Sequence, residues 1–478
     1  MTADSFLWHD YETFGANPRL DRPCQFAARR SDDQLNPVGE PLVLYCQPTL
    51  DMLPHPDACL ITGITPQQAL RDGVPEYEFA QRIFEQMATP GTCTVGFNNL
   101  RFDDEFSRFL FWRNFIDPYV REYRNGNSRF DLIDLMRTWH ALRPEGLVWP
   151  QRDDGHPSFR LEDLARANGL SVEHAHDALA DVDNTLALAQ RLRAQQPKLW
   201  SWALSLRNKH NVDRLLAARQ ALLHVTARYP AAEHCIAPVL PLFRHPEING
   251  QWLVWNLRHD PTSFMAEDAE LLAELYWNAR EDLPEGCDRL PVKWVRGNRC
   301  PMLAPMSVLD DAARERTGID PARATDHAGR LLSDDAFLKR LAQALAPRPG
   351  GTAADAESAL YQGFVSNADR QLAERVASSR PEQLAEWVNA DRQPFADARL
   401  NELLLHFVGR HAAHALAPEP RAAWEDYRRR RLLDDPELAA LQLDNYRQRI
   451  DQLQQERPDR TALLDALRQW PEQLDLPR

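Results

Sequence analysis

At 478 residues and 54.8 kDa the chain exceeds what one hydrophobic core supports, so about two to four domains are expected. Hydrophobic residues at 44% and charged residues at 26% fit a water-soluble globular protein; no apolar run reaches the length of a membrane-spanning helix and the start lacks a basic signal region, so a cytoplasmic protein is expected. The net charge of −14 weighs against a general polyanion binder, but Pro197 to Gly350 carries 20 Lys and Arg against 19 Asp and Glu, so a basic groove in an acidic body stays open.

In chain order, SFLWHDYE, CQFAARRSD and PLVLYCQP read as three successive strands, rich in aromatic and aliphatic residues. TPQQALRDG and YEFAQRIFEQM have helical periodicity, and GTCTVGFN is a short buried strand. DDEFSRFLFWRNF and LIDLMRTWHALR follow as apolar-faced helices. SFRLEDLARANGL is another, expected to be capped by Ser158 and ended by Gly169. HDALADVDNTLALAQRLRAQ is a long helix that stops at Pro197. Strands followed by alternating helix and strand predict an α/β domain over 1–196, a mixed sheet flanked by helices. Over 197–350, clustered prolines and runs such as WLVWNLRHD and RLPVKWVRGNRCPML predict a small β-barrel with helical insertions, whose interior Trp252, Trp255 and Trp294 fill. APRPGGTAADAE reads as a linker, and 351–478 as a helical domain. The seven cysteines form no CxxC pair, which argues against a zinc module or a disulfide framework.

The chemistry lies in the acids. Asp10 and Glu12 are two residues apart on a strand and so share a face, where two bare carboxylates repel unless a cation sits between them. Asp103 in NNLRFDDEF opens a helix after a strand. In HAHDALADVDNT, His176 sits in the loop leading into the long helix and Asp181 projects from the helix body. Four such carboxylates suit two Mg²⁺ ions acting on a phosphodiester, and a histidine titrating near neutrality suits the proton transfer from water. Singly each residue has a bland reading, Asp103 as a helix cap and His176 as a core histidine. Asp104 is expected to be a solvated bystander, and Asp131 and Asp134 to be caps or salt-bridge partners.

DYET, NNLRFDDEF and HDALAD resemble the DEDD exonuclease superfamily in its histidine-bearing subclass. RNFIDPY, NSRFDLIDLMR, ALRPEG, SFRLEDLARANG, RNKH and LYQGF narrow the likeness to the bacterial exodeoxyribonuclease I family, over nearly the whole chain. The resemblance implies an RNase H-like nuclease domain, an SH3-like domain and a helical domain. It implies processive 3′→5′ release of 5′-mononucleotides from single-stranded DNA, in repair and recombination, by a monomer. Asp10, Glu12, Asp103 and Asp181 take the metal positions for Mg²⁺, with Mn²⁺ as a substitute. Asp10 bridges both ions, His176 is the general base, Arg160 holds substrate phosphate, and Glu12 with Thr13 meets the 3′-hydroxyl. The acidic C-terminal tail of single-stranded-DNA-binding protein is the implied partner, with Arg143 as its docking residue; the bland reading of Arg143 is a cap on the preceding helix. An exoribonuclease trimming RNA ends and a non-catalytic single-strand-binding scaffold are the alternatives.

FSRFLFWRNFIDPYVREYRNGNSRF mixes cations with aromatic rings, as neutralising phosphates and stacking bases requires. Phe109, Phe111, Trp112 and Phe115 are expected mostly in the core. Arg108, Tyr119, Tyr123 and Arg137, with Arg207, Lys209, Lys293 and Arg299 further on, are candidate contacts to the strand, each against a null of surface solvation.

Overall fold

The structure is a computed structural model that describes residues 5–171, 177–348 and 351–476. The chain forms two compact units. One holds Met1–Ser128, Ser171–Leu186 and Gly351–Arg478, and the other Arg129–Leu170 and Ala187–Gly350. The expected segment 1–196 thus contributes to both units, while 197–350 falls in the second and 351–478 in the first.

Through residue 195 the elements are β1 (Ser5–Thr13), β2 (Pro23–Ser31), β3 (Pro37–Tyr45), α1 (Pro56–Thr62), α2 (Pro66–Asp72), α3 (Glu76–Ala88), β4 (Thr92–Gly96) and α4 (Asp103–Arg113). Then come β5 (Ser128–Asp131), α5 (Leu132–Leu142), α6 (Leu161–Ala167) and α7 (Ala178–Gln195). In the first unit the strand order is β3-β2-β1-β4, with β1 antiparallel to β2 and parallel to β4, which is the mixed sheet expected. β1 lies centrally and is covered on both faces, which explains its near-continuous apolar run. Leu7, Tyr11 and Phe26 of the sheet pack with Phe79 and Ile83 of α3 and Phe111 of α4. Phe109, Phe111, Trp112 and Phe115 are all buried, as expected.

The C-terminal helices of the same unit extend this core. Phe109, Trp112 and Phe115 meet Leu403, Phe407 and Trp424, and Phe14 and Leu60 meet Tyr446, Leu464 and Trp470. Beneath them lies a buried ion cluster. Arg22 reaches Glu357 at 2.6 Å, Arg410 reaches Asp51 at 2.8 Å and also bonds Glu357, and Arg113 holds Glu76 at 2.9 Å. Gly409, on the helix Ala398–Ala412, exists for close approach: a Cβ there would lie 2.3 Å from the Trp424 ring. Gly409→Ala is expected to cost roughly 1–3 kcal/mol by overpacking, read as a lower urea midpoint.

In the second unit, Asp131 caps α5 by accepting from the Ile133 amide, and Asp134 pairs with Arg137 at 2.6 Å, both as expected. The cap expected at Ser158 is displaced. Arg160 is the N-cap of α6, while Ser158 accepts from the Arg160 amide and donates to Asp163. Ser158 thus braces the turn before the helix, because its hydroxyl reaches an acid inside the first turn. Gly169, at φ 68°, follows the helix end as expected. Farther along, β6 (Leu222–Val225), β7 (Ile236–Arg244), β8 (Gln251–Asn256), β9 (Val292–Arg296) and β10 (Met302–Pro305) make an antiparallel sheet of order β10-β6-β7-β8-β9. Trp255 fills its core, Trp294 packs against that core, and Trp252 is buried with its indole N–H on Asp213. All seven cysteines are free thiols, six of them buried. Among the described residues no helix is long and apolar enough to cross a membrane.

Candidate active site

Asp10 and Glu12 project from the C-terminal half of β1, where the parallel pair β1 and β4 presents its carboxyl ends. In open α/β sheets, sites form outside those ends. α4 begins seven residues after β4 closes, and Asp103 is its first residue. The Tyr11 amide, between the two strand acids, donates to Asp103 Oδ1 at 3.0 Å, and the Tyr11 hydroxyl meets Ser107 Oγ at 3.0 Å. These two bonds fix α4 against β1. Asp181 comes from the first turn of α7, where Asp177 caps the helix by accepting from the Leu179 amide at 2.9 Å. α7 is tied to the sheet by Arg29 of β2, whose guanidinium grips Asp183 at 2.5 and 3.0 Å.

Carboxylate oxygens of Asp10, Glu12 and Asp181 lie within 4.8 Å of one another. Burial raises the Asp10 carboxyl well above the usual carboxylate range, and Asp103, Glu12 and Asp181 raise it further. Burial, then Asp181, Asp103 and Asp177, push Glu12 up to about 8. Carboxyls raised in this way hold protons or bind a cation. An all-oxygen donor set suits hard divalent ions such as Mg²⁺ or Mn²⁺, so the residues present fit the metal that the sequence implies.

His176 lies outside the described residues; α7 begins two residues after it. Thr13 is buried, its hydroxyl donating to the Gly15 carbonyl. Asp104, expected in solvent, is instead fully buried and paired with Arg121 at 2.6 Å. The turn that aims Asp103 at β1 aims its neighbour into the core, where only an ion pair makes a charge tolerable. Behind the pair, burial brings His9 down to about 4.

The candidate strand contacts are scattered. In the first unit, Arg108 is buried, bonded to Glu122 and Glu105 and set 5.3 Å over the Tyr119 ring; burial, partly offset by the Arg108 charge, pushes Tyr119 up to about 12. Tyr123 is 63% exposed. In the second unit, Arg137 lies over Phe159 as well as on Asp134, and Lys293 donates to the Arg228 carbonyl over the Tyr229 ring. Arg160 and Lys209 are exposed, and Arg207 and Arg299 half-buried. Arg143 meets Asp310 at 3.1 Å and the Leu142 and Val308 carbonyls at 2.5 and 2.8 Å. Sequence reasoning missed the Arg29–Asp183 clamp and the Tyr11–Ser107 bond. The period-2 position of Tyr11 between two acids was the one available signal.

Residues 7–189 match the family described as Exonuclease, so the fold that carries the acid cluster is that of an exonuclease. Residues 207–346 match the Exonuclease I SH3-like domain and 354–474 the Exonuclease I C-terminal domain. The chain is 39% identical to exodeoxyribonuclease I of Escherichia coli over 98% of both chains. Among solved structures it is similar to exonuclease I of Methylocaldum szegediense (43% identity, TM-score 0.92) and to E. coli exonuclease I in complex with a dA16 oligonucleotide (39%, 0.92), each covering 98% of this chain and 99% of that one. With the same coverage and 38% identity it is also similar to a zinc-bound E. coli exonuclease I–single-stranded DNA complex (TM-score 0.90) and to an SSB/exonuclease I structure with an inhibitor (0.88). The chain belongs to the exodeoxyribonuclease I family.

Proposed function

We propose that this exonuclease removes 5′-mononucleotides processively from the 3′ end of single-stranded DNA, using two Mg²⁺ ions held by Asp10, Glu12, Asp103 and Asp181. The convergence of three of those carboxylates within 4.8 Å carries the reading. Asp10, central on β1 and raised by Asp103, Glu12 and Asp181, would hold the metal jointly with them. When bound, the ions supply charge for the attacking and leaving oxygens of the phosphodiester. The chain's own residues position and move protons. His176 accepts the proton of the attacking water, Glu12 and the Thr13 backbone orient the 3′-hydroxyl, and Arg160 holds phosphate. Tyr123, Lys209 and Arg207 contact the strand, while Arg108, Tyr119, Arg137 and Lys293 are each engaged by neighbours within their own unit. The segments 1–196, 197–350 and 351–478 serve as nuclease, SH3-like and helical domains of a cytoplasmic monomer acting in repair and recombination. Mn²⁺ replaces Mg²⁺.

A 5′-labelled single strand with Mg²⁺ is expected to shorten stepwise from its 3′ end, with a matched RNA strand degraded far more slowly; equal rates on both would favour the RNA-trimming reading. Metal binding is also expected to expel protons. With Glu12 at about 8 before the ion arrives and Asp10 raised as well, calorimetry at pH 7 in buffers of different ionisation enthalpy should show protons released as metal binds. Glu12→Gln should reduce that release.

The acidic tail of single-stranded-DNA-binding protein docks at Arg143, where it competes with Asp310 for the guanidinium. Asp310→Asn is therefore expected to tighten binding of a tail peptide roughly two- to fivefold, the scale of an exposed ion pair. Unchanged or weaker binding by fluorescence anisotropy would argue against docking at this arginine.

A further inference from the structure

A cavity of about 150 Å³ within the second unit is lined by three histidines, His140, His156 and His234, beside Trp149 and Gln151. His140 stands in the last turn of α5, its ring held edge-on by Trp149 at 4.9 Å and Phe159 at 5.5 Å. Trp149 is itself anchored, its indole N–H donating to the Pro144 carbonyl at 2.8 Å. His234 faces His140 with 5.3 Å between ring centroids and 26° between ring planes. It precedes β7 at φ 53°, and Cys235 follows at φ 56°. Two successive side chains held in the left-handed region store backbone strain, a feature that collects at ligand sites. Nδ1 of His140 and Nδ1 of His234 are both buried, and neither is hydrogen-bonded to a described residue. A bare buried nitrogen is costly, and two in one cavity call for a shared ligand. Burial brings His140 down to about 4, helped by the His234 and Arg316 charges, and burial with Arg316 lowers His234. Both rings are therefore uncharged near pH 7 and offer lone pairs. A backbone hydrogen bond with Arg316 also holds the His234 ring, as orienting partners hold imidazoles on a metal.

We infer that His140 and His234 hold a divalent transition-metal ion of the zinc, nickel or copper class, with His156 and water completing its shell. Two imidazoles on one tetrahedral ion, each nitrogen about 2.0 Å from it, place their ring centroids roughly 5 Å apart, which the observed pair already matches. His156 is the third donor. Its backbone is pinned, the Arg152 amide donating to the His156 carbonyl at 2.8 Å and the His156 amide to Asp154 at 3.0 Å. Its half-buried side chain closes on the ion by rotation. Before that rotation the three rings are not a closed triad: among the described residues, Asp10, Glu12 and Asp181 are the group of three whose donor atoms lie within 4.8 Å of one another. The two sites differ in what they take. Carboxylates suit hard ions such as Mg²⁺, whereas imidazole suits zinc, nickel and copper. No carboxylate lines the histidine cavity and the Arg316 charge acts on both rings, so a hard ion held by charge alone finds no purchase there. A bound ion would tie α5 to the segment that leads into β7.

The test titrates Zn²⁺ into the full chain by calorimetry in excess Mg²⁺, and repeats it on Asp181→Asn to set aside any zinc taken by the acid pocket. One Zn²⁺ is expected to bind in both. His140→Ala and His234→Asn, the latter chosen because asparagine tolerates the left-handed backbone, should each weaken that binding roughly tenfold or more, and His156→Ala should weaken it less. Cu²⁺ in place of Zn²⁺ should give an electron paramagnetic resonance spectrum split by ring nitrogens, and His234→Asn should reduce the splitting. Zn²⁺ should also raise the melting temperature of Asp181→Asn but not that of Asp181→Asn/His234→Asn. Zinc binding that is lost in Asp181→Asn would overturn the inference, as would wild-type affinity in both His140→Ala and His234→Asn, or no uptake at all in excess Mg²⁺. Should His140→Ala fail to fold, His234→Asn and the Cu²⁺ spectrum still decide. None of these readouts uses nuclease activity, so the outcome is independent of the proposed function.

Discussion

Asp181→Asn is expected to abolish exonuclease activity while raising the melting temperature of the metal-free protein. The loss follows from removing one of the proposed metal ligands, whose ions would stabilise charge at the phosphodiester. Several kcal/mol of transition-state stabilisation correspond to roughly a thousandfold or more in rate. The gain in stability follows from the same charge. Asp181 raises the carboxyls of both Asp10 and Glu12, so neutralising it relieves a repulsion that the folded state alone experiences. Because those two groups titrate above their ordinary range when folded, the native chain binds protons more tightly than the unfolded one. Their contribution to stability is present in acid and declines as pH rises from the unfolded value toward about 8. Melting curves in EDTA from pH 5 to 9 should therefore fall less steeply for Asp181→Asn than for the wild type, and Mg²⁺ should flatten the wild-type curve. A variant that keeps its activity, or melts below the wild type at pH 8 without metal, would sink the assignment.

The largest loss of stability is expected from Arg410→Ala. Arg410 lies at the centre of the buried cluster, gripping Asp51 and Glu357, with Arg22 and Arg431 completing the shell. Burial alone would push both acids up, but Arg410, Arg22 and Arg431 outweigh it and hold them well below the usual carboxylate range. Truncating Arg410 strands buried negative charge, which costs roughly 3–5 kcal/mol. The linkage here is opposite to that of the acid pocket. Asp51 and Glu357 contribute stability above the unfolded carboxylate pKa, and the contribution disappears as pH falls below about 4. Urea denaturation at pH 7 should show the loss, with Arg71→Ala, on an exposed pair with Asp72, changing little. A shift for Arg410→Ala no larger than for Arg71→Ala would mean that the cluster contributes little.

The sheet that carries the candidate site was legible because its signals are local. Aromatic runs with period-2 spacing set β1 to β3, and two acids sharing one strand face are visible at a distance of two residues. The side on which a charge ends was not legible in the same way. Asp103 and Asp104 are neighbours with the same chemistry, yet one faces the strand acids and the other enters the core to meet Arg121. The cationic track shows the same limit. Composition marks Arg108, Arg137 and Lys293 as free positive charge, but each is engaged by carboxylates, carbonyls or rings brought near by folding. Segment boundaries read from texture also differ from the compact units, because Arg22, Asp51 and Glu357 bind residues more than three hundred positions apart.

By itself the amino-acid sequence determined which acids are candidates for the chemistry, on which strand and helices, and in what order. Such features depend on backbone periodicity and residue type, which are fixed within a few positions. Tertiary structure alone decided which charges remain exposed, which are neutralised by distant partners, and how far burial displaces a carboxyl from its solution behaviour. Those outcomes depend on the local dielectric and on neighbours remote along the chain, and neither exists until the chain has folded.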